Sequence, residues 1–136
     1  MQTDYVDGAV EGWAREWPRL ETSAFEVMSR VDRVARHLER RTTDALAASH
    51  VSARDLDVLA ALRRAGAPFG LPATQLAQAA MLTSGGMTGE ADRLAKAGLV
   101  ARRPDPQDRR AVLVTLTPEG RAVAERAVKT YLHASE

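Results

Sequence analysis

The chain has 136 residues, a formal net charge of +1 and no cysteine. That length suits one domain with a modest core, and the missing thiols exclude disulfides, thiolate zinc sites and cysteine redox sensing. No apolar run reaches the roughly 18 residues of a membrane helix, and Asp4 and Asp7 break the stretch where a secretory signal would lie, so a soluble, cytoplasmic protein is expected.

The first predicted helix covers residues 4–17, where Tyr5, Val6, Ala9, Val10, Trp13 and Trp17 recur at helical spacing until Pro18 stops them. A second is expected from about Glu21 to Ser49. Phe25, Met28, Val31, Ala35, Leu38, Thr42 and Ala45 form its stripe, at steps of three and four over many turns. Such length suggests packing against a partner subunit as well as the chain's own domain; the alternative is a long core helix in a monomer. Arg30, Arg33, Arg36, Arg40 and Arg41 read as its solvated face.

Ser52-Ala53-Arg54-Asp55 resembles a capping box, with Asp in the position usually held by Glu. The helix that it opens buries Leu56, Leu59, Ala60 and Leu62, and Ala65-Gly66-Ala67-Pro68 ends it. Pro72 suits the first turn of the next helix, where a missing N–H is no loss, and Leu76, Ala77 and Ala80 supply that helix's apolar face. Thr83 or Ser84 can cap a further helix by accepting backbone N–H bonds; Met87, Ala91, Leu94 and Ala95 form its buried side. Gly98 stands where a helix end favours positive φ. Leu99–Arg103 and Ala111–Leu116 read as two short strands, joined across a loop that Pro104-Asp105-Pro106 imposes. Thr117 and Pro118 are a cap and first-turn pair for a last helix through about His133, with Val123, Ala127, Val128, Tyr131 and Leu132 on its apolar side.

Helix, turn, helix and then a hairpin is the order of a winged helix-turn-helix, which lays one helix in the major groove of double-stranded DNA. The expected fold is mainly α with a small β-hairpin wing (α+β), carrying long N-terminal dimerisation helices. Charge distribution agrees with DNA as partner. From Met1 to Ser29 six acids face two arginines, whereas from Arg93 to Arg110 six bases face two acids. The positive charge sits where this fold would meet DNA.

Gly98-Leu99-Val100-Ala101-Arg102-Arg103, Asp108-Arg109-Arg110 and Leu116-Thr117-Pro118-Glu119-Gly120, with Leu76-Ala77 and Ser84-Gly85-Gly86-Met87-Thr88 upstream, resemble the multiple antibiotic resistance regulator (MarR) family over roughly residues 22–133. The resemblance implies a homodimeric, ligand-responsive repressor whose wing arginines reach DNA at a palindromic operator. It divides the single domain into N-terminal and dimerisation helices (4–49), a winged helix-turn-helix (52–116) and a C-terminal helix (117–136). Family members usually continue into a further helix that interlocks with the other subunit. Here that element is missing after Glu136, so either the natural chain continues or the dimer relies on its N-terminal helices.

Expected DNA contacts are Thr83, Ser84, Gly85, Met87, Thr88, Glu90 and Arg93 on and before the reading helix, and Asp108, Arg109 and Arg110 in the wing. Hydroxyls can donate to phosphates or base edges, and an Arg can neutralise phosphate or enter a narrow minor groove. Asp108 is expected to hold one wing arginine by a charge-assisted bond. Arg102 and Arg103 alternate faces on their strand, so one of them is expected to point into the protein. Relatives commonly carry Thr-Asn-Arg where this chain has Thr88-Gly89-Glu90. Glu90 either faces phosphate with the wrong sign, accepts from a cytosine amino group, or pairs with Arg93 one turn on. Gly85, Gly86 and Gly89 each cost a helix about 1 kcal/mol relative to Ala; they either permit close approach to DNA or leave the helix soft.

A urate-responsive branch of the family has an extra N-terminal helix with a tryptophan. By that resemblance Trp13, Asp57 and Arg102 match its ligand residues, implying an aromatic or purine-like ligand, while the branch's remaining arginine position falls on Glu90 and argues against an anion. Trp13 reads equally as a packing residue, and Asp57 as a surface acid. No cofactor or metal is expected, because His37, His50 and His133 lack ligand spacing. Catalysis is not expected either: Ser84-Gly85-Gly86 lacks a nucleophile elbow and a Walker lysine. The alternative to a repressor is a ligand-binding or protein-interaction module of the same fold with weak DNA binding, suggested by Glu90 and the glycines.

Overall fold

A computed structural model describes residues 4–134. Its elements are α1 (Tyr5–Glu16), α2 (Ser23–Leu46) with a 3-10 turn at Ala47–Ser49, α3 (Ala53–Arg64), β1 (Gly70–Pro72), α4 (Ala73–Ala79), α5 (Ser84–Lys96), β2 (Val100–Pro104), β3 (Val112–Leu116) and α6 (Pro118–Ala134). Two compact units divide after Arg41, within α2. Among the described residues no helix is long and apolar enough to cross a membrane.

In the first unit, Asp4 caps α1 by accepting from the Val6 and Asp7 amides at 2.7 and 2.9 Å, and Asp7 returns the bond to the Asp4 amide. Arg30 of α2 gathers Asp4, Asp7 and Glu26 at 3.3, 2.6 and 3.7 Å, and Arg33 lies 5.3 Å from the Tyr5 ring centre. These two arginines therefore tie α1 to α2, where the sequence suggested only a solvated face. The apolar stripe of α2 is uncovered: Phe25, Met28, Val31 and Leu38 are all exposed, Met28 by 66%.

The second unit is built around Leu59, Leu62, Leu76, Met87, Leu94 and Val114, all fully buried. Each such side chain contributes about 1.5–3 kcal/mol by leaving water. The expected capping box forms at α3: the Ser52 hydroxyl oxygen accepts from the Asp55 amide at 3.1 Å and Asp55 Oδ2 accepts from the Ser52 amide at 2.7 Å. Thr83, rather than Ser84, caps α5, its Oγ1 accepting from the Gly86 amide at 3.1 Å. Gly98 adopts φ +75° after α5, as its position predicts. At α6, Thr117 Oγ1 accepts from the Gly120 amide at 2.9 Å and donates to the Gly98 carbonyl at 2.6 Å.

The wing is a three-stranded antiparallel sheet in the order β1-β3-β2, not a hairpin alone. Sequence reading misses β1 because it is three residues long and ends on a proline. Pro72 sits opposite Leu113, where an edge strand tolerates a residue without an N–H. It then serves as N-cap of α4, one position ahead of the first turn predicted for it.

Candidate nucleic-acid interface

The exposed side of α5 carries Ser84, Gly85, Thr88 and Gly89, because Met87, Ala91 and Leu94 turn the other way into the core. Thr88 Oγ1 donates to the Ser84 carbonyl at 3.1 Å, a bond easily exchanged for an outside partner. Thr83 is also exposed, although its hydroxyl oxygen is engaged as the cap. Ser84 and Thr88 share a cleft of about 240 Å³ with Thr74 of α4 and Arg110 of the wing. Helix and wing thus present donors to one concave surface.

The wing loop is shaped by its aspartates. Asp105 Oδ1 accepts from the Gln107 amide at 2.9 Å, and Asp108 Oδ1 accepts from the Arg110 amide at 3.0 Å. Asp108 therefore acts on the backbone of Arg110 and not, as the sequence suggested, on an arginine side chain. Arg102, Arg103, Arg109 and Arg110 line a hollow of about 300 Å³ on the wing. All four are exposed, which corrects the expectation that Arg102 or Arg103 points inward; β2 is an edge strand and only Val100 of it is buried. Arg102 pairs with Asp92 of α5. The site gains Thr74 and Arg103, which sequence reasoning left out of the interface.

Two expected DNA contacts, Met87 and Glu90, turn away. Met87 is 1% exposed and belongs to the core. Glu90 is 7% exposed, so it faces neither phosphate nor a base. Burial pushes its carboxyl above the usual range, against the pull of Arg54. Arg93 pairs with Glu90 and the buried Asp55, while its own side chain stays 53% exposed. The i+3 pairing of Glu90 with Arg93 is the alternative that the structure holds. A helical-wheel signal existed: Glu90 is three residues after Met87 and four before Leu94, on the predicted buried stripe.

The MarR family signature matches residues 51–111. The transcriptional regulator PecS of Dickeya dadantii (strain 3937) is 35% identical over 127 residues, covering 93% of this chain and 76% of that protein. The chain belongs to the MarR family. The structure of BpsR from Bordetella bronchiseptica, described for regulation of its DNA binding by 6-hydroxynicotinic acid, superposes with a TM-score of 0.72 at 30% identity, over 80% of this chain and 76% of that one. A mutant MarR from E. coli complexed with operator DNA gives 0.70 at 25% identity, over 87% and 76%. The expected winged helix-turn-helix class is thus that of its MarR relatives, with the third strand added.

Of the three candidate ligand residues expected from the sequence, Trp13 is 45% exposed on α1. Asp57 keeps surface exposure on α3; the desolvation it does feel raises its carboxyl, and Arg64 opposes this. Arg102 is engaged by Asp92, as above. The buried acid of α3 is Asp55, which the sequence pattern marks only as a cap. Among the described residues no group of three or more acids and histidines could hold a metal ion.

Proposed function

We propose that this MarR-family chain is a cytoplasmic, non-enzymatic repressor that binds a palindromic operator as a homodimer and releases it when a small ligand binds. The observation that carries the DNA reading is the convergence of Ser84, Thr88 and Arg110 on one cleft, beside a hollow lined by four arginines. Burial of Glu90 against Arg93 supports it further, since the carboxylate that argued for weak DNA binding faces away from DNA. Thr83, Ser84, Gly85 and Thr88 meet the major groove, while Arg109 and Arg110, shaped by Asp108, meet the backbone or minor groove.

The decisive assay is fluorescence anisotropy against DNA flanking the chain's own gene, over a range of salt. Specific binding with a steep salt slope is expected. Arg109→Ala should weaken it about tenfold and reduce the slope by about one counterion. Equal, weak binding to every DNA sinks the proposal.

Dimerisation is supported by the uncovered α2 stripe, an apolar row of a length that needs a partner. Two reading helices would then enter successive major grooves about 34–36 Å apart. Val31→Glu should halve the mass measured by light scattering and lower operator affinity at least tenfold; an unchanged mass would show that α2 does not form the interface.

The ligand assigned is flat and aromatic, purine-like. Trp13 offers it a stacking face. That the related BpsR is controlled by 6-hydroxynicotinic acid supports a ring compound. Displacement of bound operator by a panel of purines and hydroxylated aromatic acids, lost in Trp13→Ala, tests this assignment.

A further inference from the structure

The chemistry around Arg93 is unlike that of a phosphate contact. Asp55 and Glu90 are 2% and 7% exposed, and one half-exposed guanidinium, through a single terminal nitrogen, faces both carboxylates from the surface side. Buried carboxylates are tolerated only where a cation or donors compensate them. Asp55 is itself immobilised, its other oxygen accepting from the Ser52 amide at 2.7 Å in the capping box of α3. Glu90 and Arg93 both belong to α5. Ser52, Asp55, Arg93 and Glu90 therefore form a continuous ionic tie from the first turn of α3 to the middle of the reading helix. α5 packs mainly on α4 and β2, so this tie is a separate, directional link to α3.

We propose that Arg93 is a positioning residue: it fixes the rotation and tilt of α5, and hence the aim of Ser84 and Thr88, without touching DNA itself. The proposal rests on the DNA-binding reading above. Its physical basis is the asymmetry of the cluster. Both carboxylates meet the Arg93 guanidinium, and Arg54 adds only a Coulombic pull on Glu90, so removing Arg93 leaves two buried carboxylates under-compensated and α5 turns to hydrate Glu90. Because Ser84 and Thr88 ride on the same helix, that turn displaces the donors from the cleft.

The test compares wild type, Arg93→Gln, Arg109→Ala and the triple variant Arg93→Gln/Asp55→Asn/Glu90→Gln, which removes the buried negative charge together with the cation. Operator affinity and its salt slope are read at a temperature where circular dichroism shows each protein folded. Arg93→Gln is expected to bind at least tenfold more weakly with an unchanged slope, unlike Arg109→Ala, and the triple variant to return within about threefold of wild type. A slope reduced by about one in both Arg93 variants, with no recovery in the triple, overturns the proposal and makes Arg93 a phosphate contact. Undiminished affinity in Arg93→Gln overturns it too.

Amide hydrogen exchange supplies a readout that does not need DNA. Exchange over residues 84–96 should rise at least tenfold in Arg93→Gln while α6 stays protected; uniform exchange across both helices would refute positioning. If wild type itself fails to discriminate among DNA sequences, the repressor reading fails and the exchange result alone decides the role of Arg93. Should Arg93→Gln not fold, the triple variant decides: wild-type affinity and slope support the proposal, and a reduced slope refutes it.

Discussion

Gly120→Ala is expected to destabilise the winged unit by about 3 kcal/mol or more, through overlap with backbone that has no room to move. A methyl group on Gly120 would run into the Leu99 carbonyl oxygen and lie 2.7 Å from its carbonyl carbon. That carbonyl is held in place, since it accepts from the Thr117 amide at 3.1 Å. Thr117 in turn links the Gly98 carbonyl to the Gly120 amide through its hydroxyl. The Leu-Thr-Pro-Glu-Gly motif is therefore a seam between the end of α5, the start of β2 and the first turn of α6. A side chain at its fifth position forces α6 away from β2 and uncovers Ala124 and Ala127, which pack in the core. Thermal unfolding should report a loss of roughly 10 °C or more. An unchanged midpoint would mean that α6 approaches β2 less closely than this geometry requires.

The parts of this molecule governed by local chemistry are those that the sequence discloses. Ser52 with Asp55, Thr83, Gly98 and the Thr117-Pro118 pair each announce a helix end by residue type alone, and each is found in that role. Amphipathic spacing likewise places Leu76, Ala77, Met87, Ala91 and Leu94 in the core. What depends on a partner distant in sequence is hidden. β1 exists because β3 pairs with it, and three residues carry too little periodicity to announce a strand. Asp55 satisfies a capping rule so completely that its second role, facing Arg93, leaves no separate trace. The charge of Glu90 suggests DNA, yet its carboxylate is buried and pairs with Arg93 at the surface. For Glu90 the helical stripe is the better guide than the charge. Asp108 shows the same limit on a smaller scale: an acid beside two arginines suggests an ion pair, whereas its oxygen is taken by a backbone amide two residues on.

Gly85→Ala and Gly89→Ala are expected to move stability and DNA binding in opposite directions. A methyl group at either position meets nothing within 4 Å, so packing does not require glycine there. Gly86 differs, because a methyl there would sit 3.0 Å from the Thr83 hydroxyl that caps the helix. On helix propensity alone each exposed glycine costs up to about 1 kcal/mol relative to alanine, more in the interior turn that holds Gly89 than in the first turn. The double variant should therefore melt several degrees higher than wild type. Nothing inside the protein accounts for keeping two such residues on the face that carries Ser84 and Thr88. Close approach of the α5 backbone to the groove does account for them, because a bare Cα lets the helix seat deeper. Operator affinity should accordingly fall at least tenfold in the double variant, with its salt slope retained, since no cation has been removed. Higher melting temperature with undiminished or improved affinity would identify the glycines as a source of softness in α5 instead. The groove would then be read by a helix that orders on contact, and alanine would strengthen binding by removing part of the ordering cost.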